Sequence, residues 1–159
     1  INGEELVTNY IAHRLKSGII IGFEFIKEKN VIGFSNSAFR AELIPEKLSI
    51  PQDVAVVDWF FYTLLLHAGH KAVFSNEMIT YYRQYSDNMI GINNETLDNY
   101  KKKLALKAMH YRYLSSSFTE FEELAKKYSK EKNLTDIQVS TLLQNNKITY
   151  PLWWENIKI

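Results

Sequence analysis

Cysteine is absent from this chain, so it can form no disulfide framework and no thiolate metal site. A reducing compartment fits that absence. No apolar run approaches the roughly 20 residues that a bilayer-spanning helix needs. Glycine is scarce, six residues in all, and they are dispersed rather than gathered into a phosphate-binding loop. Neither sign of charge dominates. Nineteen basic residues against eighteen acidic ones leave a formal net charge of +1, whereas a nucleic-acid binder carries a basic excess or a concentrated patch. The one dense basic run, Lys101-Lys102-Lys103, reads as a solvated helix face. The opening Ile1-Asn2-Gly3-Glu4-Glu5 is not a basic, apolar leader, so no signal peptide is expected. Without an initiator methionine, the chain reads as trimmed from a preceding portion.

What is present has the balance of a folded domain. Hydrophobic residues make up 46% of the 159 and charged residues 23%, as in soluble globular proteins. That length suits one domain with a substantial core, or a piece of something longer.

Taken in order, residues 4–16 predict a helix with Leu6, Tyr10 and Ile11 on one side, ended by Gly18. In residues 19–26, Ile21, Phe23 and Phe25 alternate with Gly22 and Glu24, which predicts a strand, with residues 31–34 as its partner. A short helix is expected over residues 36–43, capped by Ser35 or Asn36. Pro45 and Pro51 keep residues 44–52 irregular, because a residue before proline is pushed out of helical geometry. Residues 58–68 are apolar almost all round, the mark of a buried helix, and Gly69 closes them as a left-handed residue. Residues 71–75 and 78–83 predict two short strands.

Beyond Gly91 the chain turns helical. Leu97, Tyr100, Leu104, Ala108 and Tyr111 recur at steps of three and four. Thr119 with Glu122, and Thr135 with Gln138, are capping-box pairs opening two further helices. Their apolar stripes are Phe121, Leu124, Ala125 and Tyr128, then Ile137, Val139, Leu142 and Leu143. The adjacent Trp153 and Trp154 are expected to dock on the body. The fold class is α/β (α+β), with a mixed portion over residues 1–92 and a helical one over 93–159.

Few residues announce chemistry. His13, His67, His70 and His110 are scattered, and the His67/His70 pair has no third ligand nearby, so ordinary helix-end histidines explain it. Asp58 heads the apolar helix and has two readings. It can be an N-cap, its carboxylate accepting backbone N–H bonds. It can also be a general base against an apolar wall, where burial lifts its pKa while the helix dipole keeps it ionised.

The order of segments adds to this. Asn36-Ser37-Ala38-Phe39-Arg40, then Val57-Asp58-Trp59, then Ala68-Gly69-His70-Lys71, then Tyr82-Arg83-Gln84-Tyr85 through Gly91 resembles the second half of family 2 glycosyltransferases of the GT-A fold. The resemblance covers roughly residues 19–92. It implies a partial GT-A-like mixed sheet with flanking helices, and transfer of a sugar from a nucleotide-sugar to a carbohydrate acceptor hydroxyl with inversion, in bacterial surface polysaccharide synthesis. Asp58 then becomes the base that deprotonates the acceptor. Trp59 stacks near the acceptor sugar or belongs to the core. Asn36 and Ser37 sit near the sugar, and Arg83 lies near the diphosphate or in a structural ion pair. The position of the family's histidine is Tyr85 here, which puts its phosphate or metal contact in question. The family's D-x-D motif, which holds Mg²⁺ or Mn²⁺ in the nucleotide-binding half, does not occur in this sequence. The resemblance thus implies a cytoplasmic enzyme, at the inner face of the membrane, of which this chain is the C-terminal part. No metal on this part and no turnover by it alone are expected. The rival expectation is a non-catalytic helical interaction or membrane-surface module. A homodimer built on the helices beyond Glu95, with Trp153 and Trp154 as anchors, is a third.

Overall fold

A computed structural model describes residues 7–83, 96–145 and 148–155. Helices dominate them and one small sheet completes the regular structure, an α+β arrangement. Strand β1 (Ile20–Ile21) pairs antiparallel with β2 (Ala72–Val73), Ile20 opposite Val73. Bonds from Gly18 N–H to the Phe74 carbonyl and from Phe74 N–H to the Ile19 carbonyl lengthen this ladder. The α-helices are α1 (Phe23–Ile26), α2 (Val57–His67), α3 (Leu97–Ser115), α4 (Glu122–Glu131) and α5 (Asp136–Asn145).

Helix α2 buries Trp59, Phe60, Phe61, Tyr62, Thr63, Leu65 and Leu66, as an all-round apolar sequence requires. It ends where glycine allows. Gly69 takes φ 95°, and the N–H groups of Gly69 and His70 bond back to the carbonyls of Leu66 and Leu65. That pairing is a Schellman motif, satisfying two of the last-turn carbonyls. Helix α3 starts at Thr96, whose hydroxyl accepts the Asn99 N–H at 3.2 Å, and it buries Tyr100, Leu104, Ala108 and Tyr111 as the spacing predicts. At α5 the capping box forms in full: Gln138 N–H reaches Thr135 Oγ1 at 3.3 Å, and Thr135 N–H reaches Gln138 Oε1 at 2.9 Å.

One core takes residues from both portions of the sequence. At its centre the fully buried Trp59 ring is stacked on His110 (4.0 Å, 11°) on α3 and on Trp154 (5.6 Å, 13°) in the tail. Its indole N–H donates to the Ile26 carbonyl at 2.7 Å, tying in α1. The tail is strapped down at several points. Arg14 grips the Glu155 carboxylate in a bidentate pair (2.9 and 3.1 Å), Tyr10 O–H donates to the Pro151 carbonyl at 2.8 Å, and Asn30 N–H donates to the Trp153 carbonyl at 2.6 Å. Buried Lys107 adds a bond to the Trp154 carbonyl.

Several expected elements differ. In the described part of residues 4–16 only a 3-10 turn, Tyr10–His13, forms, preceded by Asn9 in the left-handed region (φ 49°). Tyr10 and His13 instead pack their rings against Tyr150. The strand expected over 19–26 stops at Ile21. From Phe23 the chain coils so that Phe23 and Ile26, three apart, face inward together, and tertiary packing overrides the local alternation. Residues 31–34 pair with no strand among the described residues. The Asn30 side chain bonds to both the N–H and the carbonyl of Ile32, and Asn30 bridges Trp153 instead. The helix expected at 36–43 shrinks to the 3-10 turn Ala41–Leu43, because Asn36 turns back to Gly33 and Val31 rather than capping the residues after it. Residues 78–83 are irregular, with Met78 and Tyr81 about four-fifths exposed (83% and 80%). The α4 helix opens through the 3-10 turn Thr119–Phe121 with no side-chain cap bond, and Ile137 is exposed on α5.

His110 sets a pH dependence. Neither ring nitrogen has a hydrogen-bond partner among the described residues. Burial, with Lys107 nearby, pushes its pKa down from 6.5 to about 3. The unfolded chain binds a proton below 6.5 that the folded one refuses, so stability falls as pH drops from 6.5 to about 3. Lys107, lowered by burial to about 7, makes stability rise with pH from about 7 towards 10.5. Urea titrations across pH should show both slopes. His110→Phe should abolish the acidic one and, by removing two unpartnered buried nitrogens, stabilise the protein at pH 7 by about 1 kcal/mol.

Candidate active site

Asp58 is the second residue of α2, not its N-cap, which is Val56. Its Oδ1 accepts the neighbouring Trp59 N–H at 2.6 Å. The carboxylate is half-buried, and its pKa is raised by that burial, with backbone hydrogen bonds from Trp59 and its own N–H opposing. Among the described residues no cation pairs with it. It is a carboxylate kept basic by partial desolvation, at a helix end whose dipole favours its ionised form.

Adjacent residues on α2 divide the work. Trp59 points to the core, so of the two alternatives for it the core is the one the structure supports, not the acceptor platform. Asp58 and Tyr62, four apart, face the loop of residues 33–39. There Phe34 and Phe39 lie against Phe61 and Tyr62, with ring centroids 5.2–6.0 Å apart. Ser37 Oγ donates to the Gly33 carbonyl at 2.6 Å. Its one proton is thereby committed, so the Tyr62 hydroxyl donates to Ser37 across their 2.6 Å contact. Burial raises the Tyr62 pKa, and the nearby Asp58 charge raises it further.

Gly33 is the point of convergence. A Cβ built there would lie 3.2 Å from Asn36 Oδ1, 3.2 Å from Trp153 Cζ3 and 3.3 Å from Asp58 Oδ2. Asn36 is held rigidly, accepting the Gly33 N–H at 2.6 Å and donating to the Val31 carbonyl at 3.1 Å. Asp58, Asn36 and Ser37, three residues singled out from the sequence, therefore meet around one glycine. The Tyr82 ring, 5.8 Å from that of Trp153, brings the Tyr82-Arg83 segment alongside. Arg83 is exposed, and Tyr85 lies outside the described residues. Sequence reasoning did not assign Trp153, Tyr62 or Gly33 to this site. Only Tyr62 had a signal, four residues from Asp58 on one helix.

Among the described residues no group of three or more His, Asp or Glu side chains could hold a metal ion. His67 instead pairs with Glu120 at 3.3 Å and packs against Phe118. No described helix is long and apolar enough to cross a membrane. Trp154 is a core residue rather than a surface anchor for a second copy. Against known protein families, curated proteins and solved structures, the chain matches none.

The crowding at Gly33 is testable. Gly33→Ala should cost about 1–3 kcal/mol by overpacking and shift the tryptophan emission as Trp153 is displaced. Gly22→Ala, with nothing within 4 Å of its Cβ, should leave the emission unchanged.

Proposed function

We propose that this chain is the acceptor-side, C-terminal part of an inverting glycosyltransferase of the GT-A, family 2 type. It moves a sugar from a nucleotide-sugar to an acceptor hydroxyl in bacterial surface polysaccharide synthesis, at the cytoplasmic side of the membrane. One observation carries this reading. A half-buried carboxylate with no cationic partner among the described residues stands at the same glycine as the Asn36-Ser37 pair that the resemblance couples to it.

An alcohol is a weak nucleophile, and the transition state of sugar transfer has oxocarbenium character. Asp58 accepts the acceptor's proton as its oxygen bonds to the anomeric carbon. The bond to the diphosphate breaks on the opposite face and the nucleoside diphosphate leaves, which inverts the centre. The raised pKa of Asp58 makes it a better base than an exposed aspartate. Asn36, Ser37 and the Tyr62 hydroxyl offer polar atoms to hold the acceptor beside it. Arg83 suits the diphosphate through charge-assisted hydrogen bonds. A divalent cation, neutralising that diphosphate, belongs to the donor-binding half.

Exposed apolar side chains support the idea of a missing half. Ile20, Val73, Met78, Ile79 and Tyr81 are all more than half exposed on the two-stranded sheet and the segment after it. Large apolar side chains left to water favour self-association. The chain alone should therefore self-associate, and light scattering at increasing concentration should show a rising mean mass. A constant monomer mass would count against the missing half.

In the full-length protein Asp58→Asn should lower transfer about 10²–10⁴-fold, as loss of a general base does, with little change in donor KM. The wild-type rate should fall with decreasing pH through a value above the ordinary 3.8 of an aspartate, because the base must be ionised. Transfer at the wild-type rate by Asp58→Asn would sink the proposal. It would leave the interaction-module reading, which draws on a groove of about 580 Å³ between α3 and α4, floored by Ala105, Ala108 and Ala125 and rimmed by Arg112, Lys126 and Lys130.

A further inference from the structure

We infer that Trp153, flanked by Tyr82, is the platform on which a pyranose ring of a neutral carbohydrate acceptor stacks, presenting a hydroxyl to Asp58. The inference rests on the glycosyl-transfer reading and names the acceptor-side residues that reading lacks, since Trp59 lies in the core.

The three tryptophans of the chain divide two to one. Trp59 and Trp154 stack on each other inside the protein, while Trp153 is only partly buried. The tail backbone makes the split possible. Tyr150 and Trp154 both adopt left-handed conformations, φ 52° and 61°, turning Trp154 inward and leaving Trp153 over Gly33. Each such non-glycine residue costs roughly 1–2 kcal/mol, and strain of this kind is retained where surrounding structure over-determines it, often at functional sites.

The platform is also held still. The Trp153 carbonyl accepts the Asn30 N–H, and the Glu155 carboxylate accepts the Leu152 N–H at 3.0 Å while gripping Arg14. A binding group supported this way loses little freedom when a ligand arrives. Gly33, having no side chain, lets the edge of the indole and the Asp58 carboxylate approach the same point within 3.3 Å. Tyr82, 52% exposed and tilted 48° to the indole, supplies a second aromatic wall.

That combination selects its ligand by chemistry. The C–H face of a pyranose carries partial positive charge and lies well on the negative face of an aromatic ring. Its hydroxyls need acceptors at the rim, and Asp58, Asn36 Oδ1 and the Ser37–Tyr62 hydroxyl pair are there. An anionic ligand is disfavoured, because the carboxylate it would meet has no neutralising cation among the described residues.

The test titrates methyl β-glucoside, methyl β-galactoside, N-acetylglucosamine and lactose into the chain, followed by saturation-transfer NMR and tryptophan emission. At least one should bind, and because the other two indoles are buried, the emission change should vanish in Trp153→Phe. Trp153→Ala should weaken binding about tenfold, the scale of one aromatic stack, with Trp153→Phe, which keeps an aromatic face, weakening it less. Tyr82→Ala, at an exposed ring, should weaken it less and serves if Trp153→Ala does not fold. No binding by any of the four sugars, or unchanged affinity in the folded Trp153 and Tyr82 variants, overturns the inference. The two proposals separate cleanly. Sugar binding lost with Trp153→Ala, alongside full transfer by Asp58→Asn in the full-length protein, keeps the platform and removes the enzyme. The converse removes the platform alone.

Discussion

Everything in this fold leans on one ring. Trp59 is stacked with His110 from α3 and with Trp154 from the tail, and its N–H is satisfied by the carbonyl of Ile26 in α1. Three segments far apart in sequence are thus fastened to α2 through a single side chain. Stacking of this kind adds roughly 0.5–1.5 kcal/mol per pair to the area each ring buries. It also has a cost, since His110 is carried into the core without hydrogen-bond partners among the described residues. The imidazole works there as a flat apolar ring.

The same stack sets the geometry of the surface. Asp58 and Trp59 are neighbours, as are Trp153 and Trp154. In each pair the second residue goes into the core and the first stays at the site. Because the two inward rings are stacked 5.6 Å apart, the two outward groups are held in register beside Gly33. Packing and chemistry are therefore coupled one residue apart, which is how a site gains precision from a rigid interior.

Legibility followed the physics of each segment. The α2 helix and its glycine stop, the stripe of α3 and the Thr135–Gln138 box could be read because each depends on residues within a turn or two. Phe23–Ile26 looked like a strand because its alternation is real, yet Ile26 is placed by Trp59, thirty-three positions away. Asn36 had the chemistry of a helix cap but closes the turn before it. At the site, Asp58, Asn36 and Ser37 were found through the order of segments, and Trp59 was left between core and site. Trp153 carried no local signal of its role. What puts it beside Asp58 is a tail contact with Asn30, and a sequence shows nothing of such distant pairings.

The clasp between Arg14 and Glu155 has a consequence for the order of events in the cell. Residues 10–14 are made well over a hundred positions before their partners at 150–155, a separation of 141 for the Tyr10–Pro151 and Arg14–Glu155 bonds. Long-range closures of this kind come late in folding, after local helices have formed. The tail that this clasp holds is the one that lays Trp153 over Gly33. A polypeptide cut short before residue 150 would keep Asp58 and lack the indole wall beside it.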